Sequence, residues 1–141
     1  MLEELIKSKK TEQDVNLMSP LTWAYIGDAV YELYIRTDLV NRTSYKPNKL
    51  HIETIKFVKA KAQAELLYKI QDNLTIEEKD IVRRGRNTKT NHIAKNSNVQ
   101  EYMNATAFEA LIGYLYLCNK MARIREILDI NNKITNIGNK L

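Results

Sequence analysis

Apolar residues along this chain recur at helical spacing, three and four apart, with no run of strict alternation. Leu2, Leu5 and Ile6 predict a short amphipathic helix over residues 2–9. Ser19 ahead of Pro20 is a helix start, a capping hydroxyl followed by a ring whose fixed φ suits the first turn. From there to about Val40 the apolar residues fall on nearly every side: Trp23, Tyr25, Ile26, Val30, Leu33, Tyr34 and Ile35. A helix with no clear polar face predicts burial on most sides, and in a chain of 141 residues this points to a partner subunit over one of them. Asn41 to Lys46 is a polar turn, and Pro47 opens a helix to about Ile70, its stripe formed by Leu50, Ile55, Val58, Ala62, Leu66, Leu67 and Ile70. Asp72-Asn73 ends it. Thr75 and Glu78 form a capping box for a helix over 76–85, closing near Gly85. A polar loop from Asn87 to Asn96 follows. Ser97 to Gln100 is a second capping box, opening a long helix to about Asn119. A last helix spans Met121 to Ile130, and the Asn-rich tail is expected to be frayed or partly helical. The expectation is an all-α bundle, one domain over 1–141 with its core in about 15–130.

Composition narrows the class. A chain of this length buries roughly two thirds of its unfolded surface, and four Gly with two Pro are too few for the turns of a sandwich or barrel. The single cysteine, Cys118, excludes an intrachain disulfide and fits a reducing cytoplasm. Met1 to Lys10 alternates charge with leucine, unlike a secretion signal. The longest apolar run, Leu111 to Cys118, is far short of the roughly 20 residues a membrane span needs. A cytoplasmic protein with no membrane partner is expected. The net charge of +5 decides little, but its distribution is informative. From Ile81 to Gln100 there is no Asp or Glu, while Arg83, Arg84, Arg86, Lys89, Lys95 and His92 fall there. Such a block is either a solvated face or a surface for a polyanion.

Two acids interrupt the two most apolar helices. Asp28 lies in Tyr25-Ile-Gly-Asp28-Ala-Val, and Glu109 in Ala107-Phe-Glu109-Ala-Leu-Ile-Gly, with Glu32 one turn beyond Asp28. Burying a carboxylate costs several kcal/mol unless a cation or hydrogen bonds compensate it. An Arg or Lys partner is one solution. The other is that the two helices pack together and the carboxylates converge on Mg2+ or Mn2+, hard ions that prefer oxygen ligands. Gly27, Ala29, Ala105, Ala107, Ala110 and Gly113 flank the two acids, and glycine inside a helix costs about 1 kcal/mol against alanine. Close backbone approach would explain the two glycines. Other chemistries have little support. His51, His92 and Cys118 give no zinc-ligand spacing, and no Gly-rich phosphate loop is present. Cys118 reads as a core residue, and Tyr25, Tyr31, Tyr34, Tyr114 and Tyr116 read as packing.

Those motifs resemble the ribonuclease III catalytic domain. The Gly27-Asp28-Ala29 element is similar to the family's metal-binding aspartate helix, and Phe108-Glu109-Ala110 to its second acidic element. With Lys61-Ala-Gln63-Ala-Glu65 and Arg84-Gly-Arg86-Asn87, and no double-stranded-RNA-binding domain following, the chain resembles mini-ribonuclease III, the stand-alone form. The resemblance implies a ribonuclease III-like helical bundle that acts as a homodimeric, Mg2+-dependent endonuclease (Mn2+ as a substitute) on double-stranded RNA, associated with large-subunit ribosomal RNA precursors. It implies Asp28 and Glu109 as catalytic metal ligands. It also implies Arg84, Arg86, Asn87, Lys89 and Lys95 as RNA-facing residues. Longer family members carry further acids at the positions of Leu21, Ala24 and Thr106, so fewer protein ligands and more coordinated water are expected here. Whether Thr106 and Glu32 assist stays open at this point. Two other readings are a catalytically inactive RNA- or ribosome-binding dimer on the same fold, and a helical interaction scaffold that does not bind RNA.

Overall fold

The computed structural model describes residues 2–88 and 98–139. In chain order the helices are α1 (Leu2–Ile6), α2 (Glu12–Asn16), α3 (Pro20–Arg42), α4 (Pro47–Val58), α5 (Ala60–Ile70), α6 (Ile76–Asn87), α7 (Val99–Leu117) and α8 (Met121–Asn139), with a single 3-10 turn at Gln71–Asn73. Among the described residues there is no strand, and the chain is all-α as its periodicity predicts.

The bundle is built around α7. From Ala105 to Leu115 every residue except Glu109 is buried, because small and apolar side chains occupy all sides of this helix. α3, α5 and α6 pack along it, and α8 closes one end. The glycines set how closely. A Cβ on Gly27 would lie 1.8 Å from the Glu109 carbonyl oxygen, and one on Gly113 would lie 1.7 Å from the Trp23 carbonyl oxygen. No side chain fits between α3 and α7 at that point, so the two backbones touch. Gly85 does the same for α6, with Ala110 Cβ 2.8 Å and Ala107 Cα 3.1 Å from where its own Cβ would be.

Several boundaries follow the local chemistry. The Thr75 hydroxyl accepts from the Glu78 amide at 3.1 Å while the Glu78 carboxylate accepts from the Thr75 amide at 2.9 Å, completing the capping box. At the start of α7 the capping residue is Asn98, whose Oδ1 accepts from Gln100 and Glu101 amides. Ser97 and most of the Asn87–Asn96 loop lie outside the described residues. Asn119, at φ 59°, ends α7 in the left-handed region, and the Lys120 amide reaches back to the Leu115 carbonyl at 2.8 Å.

Other boundaries differ from the sequence reading. The helix expected over 47–70 is two helices, broken at Lys59, whose ψ of 154° is extended. The Lys59 amide still closes α4 on the Ile55 carbonyl, its own carbonyl opens α5 by accepting from the Gln63 amide, and the Gln63 side chain donates to the Val58 carbonyl at 2.9 Å. The break lets α4 lean on α3 while α5 packs on α7, which one straight helix could not do. α6 runs past Gly85 to Asn87, because that glycine is a packing residue and not a stop. α8 continues to Asn139, where a frayed tail was expected. α2, capped by the Thr11 hydroxyl, was not anticipated.

The largest correction concerns α3. It buries Trp23, Ala24, Gly27, Tyr31, Ile35 and Leu39, but Tyr25 is 81% exposed, Leu33 59% and Val40 61%. The helix is apolar all round, yet only one face is covered within the chain. Tyr31 and Tyr114 do pack as read, edge-on against Phe108 and Trp23.

Candidate active site

Asp28 follows Gly27 on α3, and Glu109 precedes Ala110 on α7, at the place where the two backbones touch. The contact that excludes a Cβ therefore also brings the two carboxyls together. Glu109 is half-buried and hydrogen-bonds Asp28. Its pKa is raised to about 8, first by burial, then by the charge of Asp28 and by the hydrogen bond to it. At neutral pH this favours the protonated form of the Glu109 carboxyl. This is the behaviour of two acids crowded together without a cation between them.

Asp28 itself is exposed, so of the two possibilities, a cationic partner or a segment less buried than its apolar neighbours suggest, the second holds. It projects from the uncovered face of α3 into an open cleft lined by Leu21, Ala24, Tyr25, Ile26, Ala29, Tyr102, Thr106 and Glu109. Among the described residues it has no Arg or Lys within ion-pair distance, so that way of compensating it is not used. Glu32, one turn on, faces Arg36 at 3.5 Å and does not line the cleft. Leu21, Ala24 and Thr106 do line it, so the three positions without acids border the pair directly. Accordingly no group of three or more His, Cys, Asp or Glu is gathered among the described residues.

The donor set fits a hard divalent ion held in part by water. Mg2+ is commonly bound through one or two carboxylates plus waters and substrate phosphates. Two converging carboxyls in an open cleft, mutually repelling once ionised, supply that minimum and leave room for the rest. Thr106 adds an oxygen at the cleft wall, although its hydroxyl donates to the Tyr102 carbonyl at 3.0 Å.

The basic residues divide into two groups. Arg84 is turned into the fold: its Nη2 donates to the Asn16 carbonyl at 2.7 Å and its guanidinium lies 4.6 Å from the Trp23 ring centre. Trp23 in turn donates from Nε1 to the Val15 carbonyl at 2.8 Å. Arg84 thereby ties α2 and α3 to α6. Arg86 donates from Nε to Asn104 Oδ1 at 2.8 Å, tying the end of α6 to α7, and Asn87 is exposed at the last turn of α6. Lys89 and Lys95 lie outside the described residues.

Sequence reasoning missed Tyr102, Tyr25 and Ile26 as cleft residues. A signal was present for the first of these, because Tyr102, Thr106 and Glu109 follow the i, i+4, i+7 pattern of one helix face.

With this geometry in hand, similarity to known proteins places the chain. A family profile described as the Ribonuclease III domain matches residues 21–120, a span holding both carboxyls. A Mini-ribonuclease 3 from Thermoanaerobacter sp. is 53% identical over 124 residues, covering 88% of this chain and 87% of that protein. A Mini-ribonuclease 3 from Staphylococcus aureus is 45% identical over 131 residues, covering 92% and 96%. A crystal structure of a Fusobacterium nucleatum protein superposes with a TM-score of 0.75 at 36% identity, covering 87% of this chain and 97% of that one. The chain belongs to the ribonuclease III family, and its curated relatives there carry the name Mini-ribonuclease 3.

Proposed function

We propose that this protein is a divalent-metal-dependent endoribonuclease that cuts double-stranded RNA, with large-subunit ribosomal RNA precursor as its substrate. The observation that carries the reading is the Asp28–Glu109 pair, two carboxyls brought together by a backbone contact, with no cation paired to them among the described residues. Mg2+, or Mn2+ in its place, would be held by Asp28 and Glu109 and would activate water and stabilise charge on the phosphate. The chain's own contribution is to fix the two ligands on rigid helices and to exclude other acids from the cleft. Family membership and the name Mini-ribonuclease 3 on its relatives support ribonuclease activity of this type.

Duplex RNA offers a regular array of phosphates and 2′-hydroxyls, recognised largely by shape. Arg86, Asn87 and the segment carrying Lys89 and Lys95 are suited to that role, since Arg86 bonds Asn104 on α7, between the cleft residues Tyr102 and Thr106. Arg84 supports this region from within the fold.

A homodimer accounts for the uncovered apolar face of α3. Tyr25, Leu33 and Val40 would be costly to leave in water as one stripe, and a second copy would cover them. The setting is cytoplasmic, in keeping with a lone cysteine and with the absence of any helix long and apolar enough to cross a membrane among the described residues.

Incubation of wild type and Asp28→Asn with duplex RNA and Mg2+ tests the reading. Cleavage by wild type and its loss in the variant are expected. A wild type that binds the duplex without cutting it would favour an inactive RNA-binding dimer instead.

A further inference from the structure

Among the described residues, those lining the cleft around Asp28 and Glu109 include no Lys and no Arg. Its charged groups are both acidic, while the proposed substrate arrives with a negative phosphate. Even with a divalent ion between the acids, the non-bridging oxygens turned away from that ion need hydrogen-bond donors. The cleft has few. Ala24, Ala29, Leu21 and Ile26 have none in their side chains, and the Thr106 hydroxyl already donates to a carbonyl of its own helix. Two phenols remain, Tyr25 and Tyr102.

These two are not equivalent. Tyr25 is 81% exposed on the face of α3 that a second copy would cover, which gives its ring a packing role. Tyr102 is half-buried on α7, two turns before Glu109 and on the same helical face as Thr106 and Glu109. Its main chain is fixed at the start of a long central helix, and the Tyr102 carbonyl is further tied by the Thr106 hydroxyl. Among the described residues its own hydroxyl makes no hydrogen bond. A half-buried phenol without a partner, held on the wall of a site that lacks cations, is a neutral donor in the right place for an anion.

We propose that Tyr102 is a substrate-contacting residue, its hydroxyl donating a hydrogen bond to a non-bridging oxygen of the RNA phosphate that enters the Asp28–Glu109 cleft. This rests on the endoribonuclease reading and adds to it a residue that determines how the phosphate is oriented. A neutral donor suits this position better than a lysine would. A cation so near Asp28 would form an ion pair with it and compete with the metal.

The test uses a short RNA duplex whose cut position is first mapped with wild type. Cutting by wild type at this stage secures the parent reading, and a duplex left intact would overturn both. Binding is then measured in an Asp28→Asn background, where cleavage does not interfere, with and without Tyr102→Phe. The phenylalanine keeps the ring and its packing and removes only the hydroxyl. The expected result is about tenfold weaker binding, the usual effect of a hydrogen bond to a charged group. The same pair is compared on a duplex with a neutral methylphosphonate at the mapped phosphate, where the difference between Tyr and Phe should disappear. Equal affinity of the two proteins for the natural duplex would overturn the proposal. So would a tenfold penalty that persists on the methylphosphonate duplex, since the hydroxyl would then be contacting something else.

Discussion

Two glutamates in this molecule are drawn into the bundle, and their surroundings are opposite. Glu78, at the start of α6, is buried, and Arg123 of α8 reaches it with two hydrogen bonds of 2.8 Å while also donating to the Asn73 carbonyl. Burial alone would raise the Glu78 pKa, but the hydrogen bonds from Arg123 and Thr75 and the charge of Arg123 outweigh it and the pKa is lowered. Glu109 is raised to about 8, by burial and by the neighbouring acid Asp28. The fold clearly has the means to neutralise a carboxylate, and uses it at Glu78. At Glu109 no cation among the described residues plays that part, and the raised pKa favours the neutral carboxyl. An acid that a protein satisfies is usually structural, whereas one left strained in a cleft is a candidate functional group.

Breaking the second region should remove activity without harming the fold. Asp28→Asn is expected to lower duplex RNA cleavage by about a thousandfold or more, because it would remove one of the two proposed metal ligands. Its thermal midpoint should be unchanged or higher, since the repulsion with Glu109 goes too. Kinetics and a melting curve on the same preparation check both halves.

Closing the space that brings the acids together should harm the fold as well. Gly113→Ala inserts a Cβ into the Trp23 carbonyl, and a cost of about 3 kcal/mol or more is expected, because backbone cannot rotate aside as a side chain can. Urea unfolding measures it. Where the variant does fold, α3 and α7 are pushed apart and the Glu109 pKa should fall toward its ordinary value.

The first region should fail differently. Arg123→Met leaves Glu78 buried without its cation, with an expected loss of about 2–3 kcal/mol. Cleavage measured well below the new melting point should be nearly unaffected, since Arg123 belongs to neither the cleft nor the α3–α7 contact.

The smallest effect is the most diagnostic, because the two glutamates should respond to pH with opposite signs. Below about pH 4.5 Glu109 is protonated whether folded or not. Between there and about 8 the unfolded chain has released that proton and the folded chain still holds it, so Glu109 makes the metal-free protein less stable as pH rises. Glu78 contributes stability above the ordinary carboxylate range and loses it as pH falls through its lowered value. Glu109→Gln should remove the alkaline slope and Arg123→Met the acid one, each read from melting curves across pH. Divalent ions added to wild type should flatten the alkaline slope, because they replace the proton on Glu109.

How much of this could be read beforehand depends on how local the cause was. The Thr75–Glu78 capping box and the Ser19–Pro20 start lie within a few residues of their effects, and both stand in the structure. Gly27 and Gly113 were legible because glycine in the middle of an apolar helix asks for a reason. The break at Lys59 was not, since nothing in the local sequence forbids a helix there and two separate packing partners impose it. Arg84 sits in an acid-free basic block, a pattern that suggests solvent. Only the three-dimensional fold brings Trp23 and the Asn16 carbonyl beside it. Asp28 carried the deepest lesson. Apolar neighbours on all sides of the helix leave open which side the chain itself covers, because hydrophobicity reports what a face prefers and not what packs on it.

The touching backbones of α3 and α7 have a consequence for how such a site can vary. The separation of Asp28 and Glu109 is set by main-chain contact, which side-chain replacements other than those at Gly27 and Gly113 leave in place. Substitutions elsewhere on the surface can alter what is bound and how well, while the gauge between Asp28 and Glu109 stays constant. A carboxyl spacing built in this way is insulated from most sequence drift. Variation in specificity is then free to accumulate along the cleft walls and the outer ends of the helices.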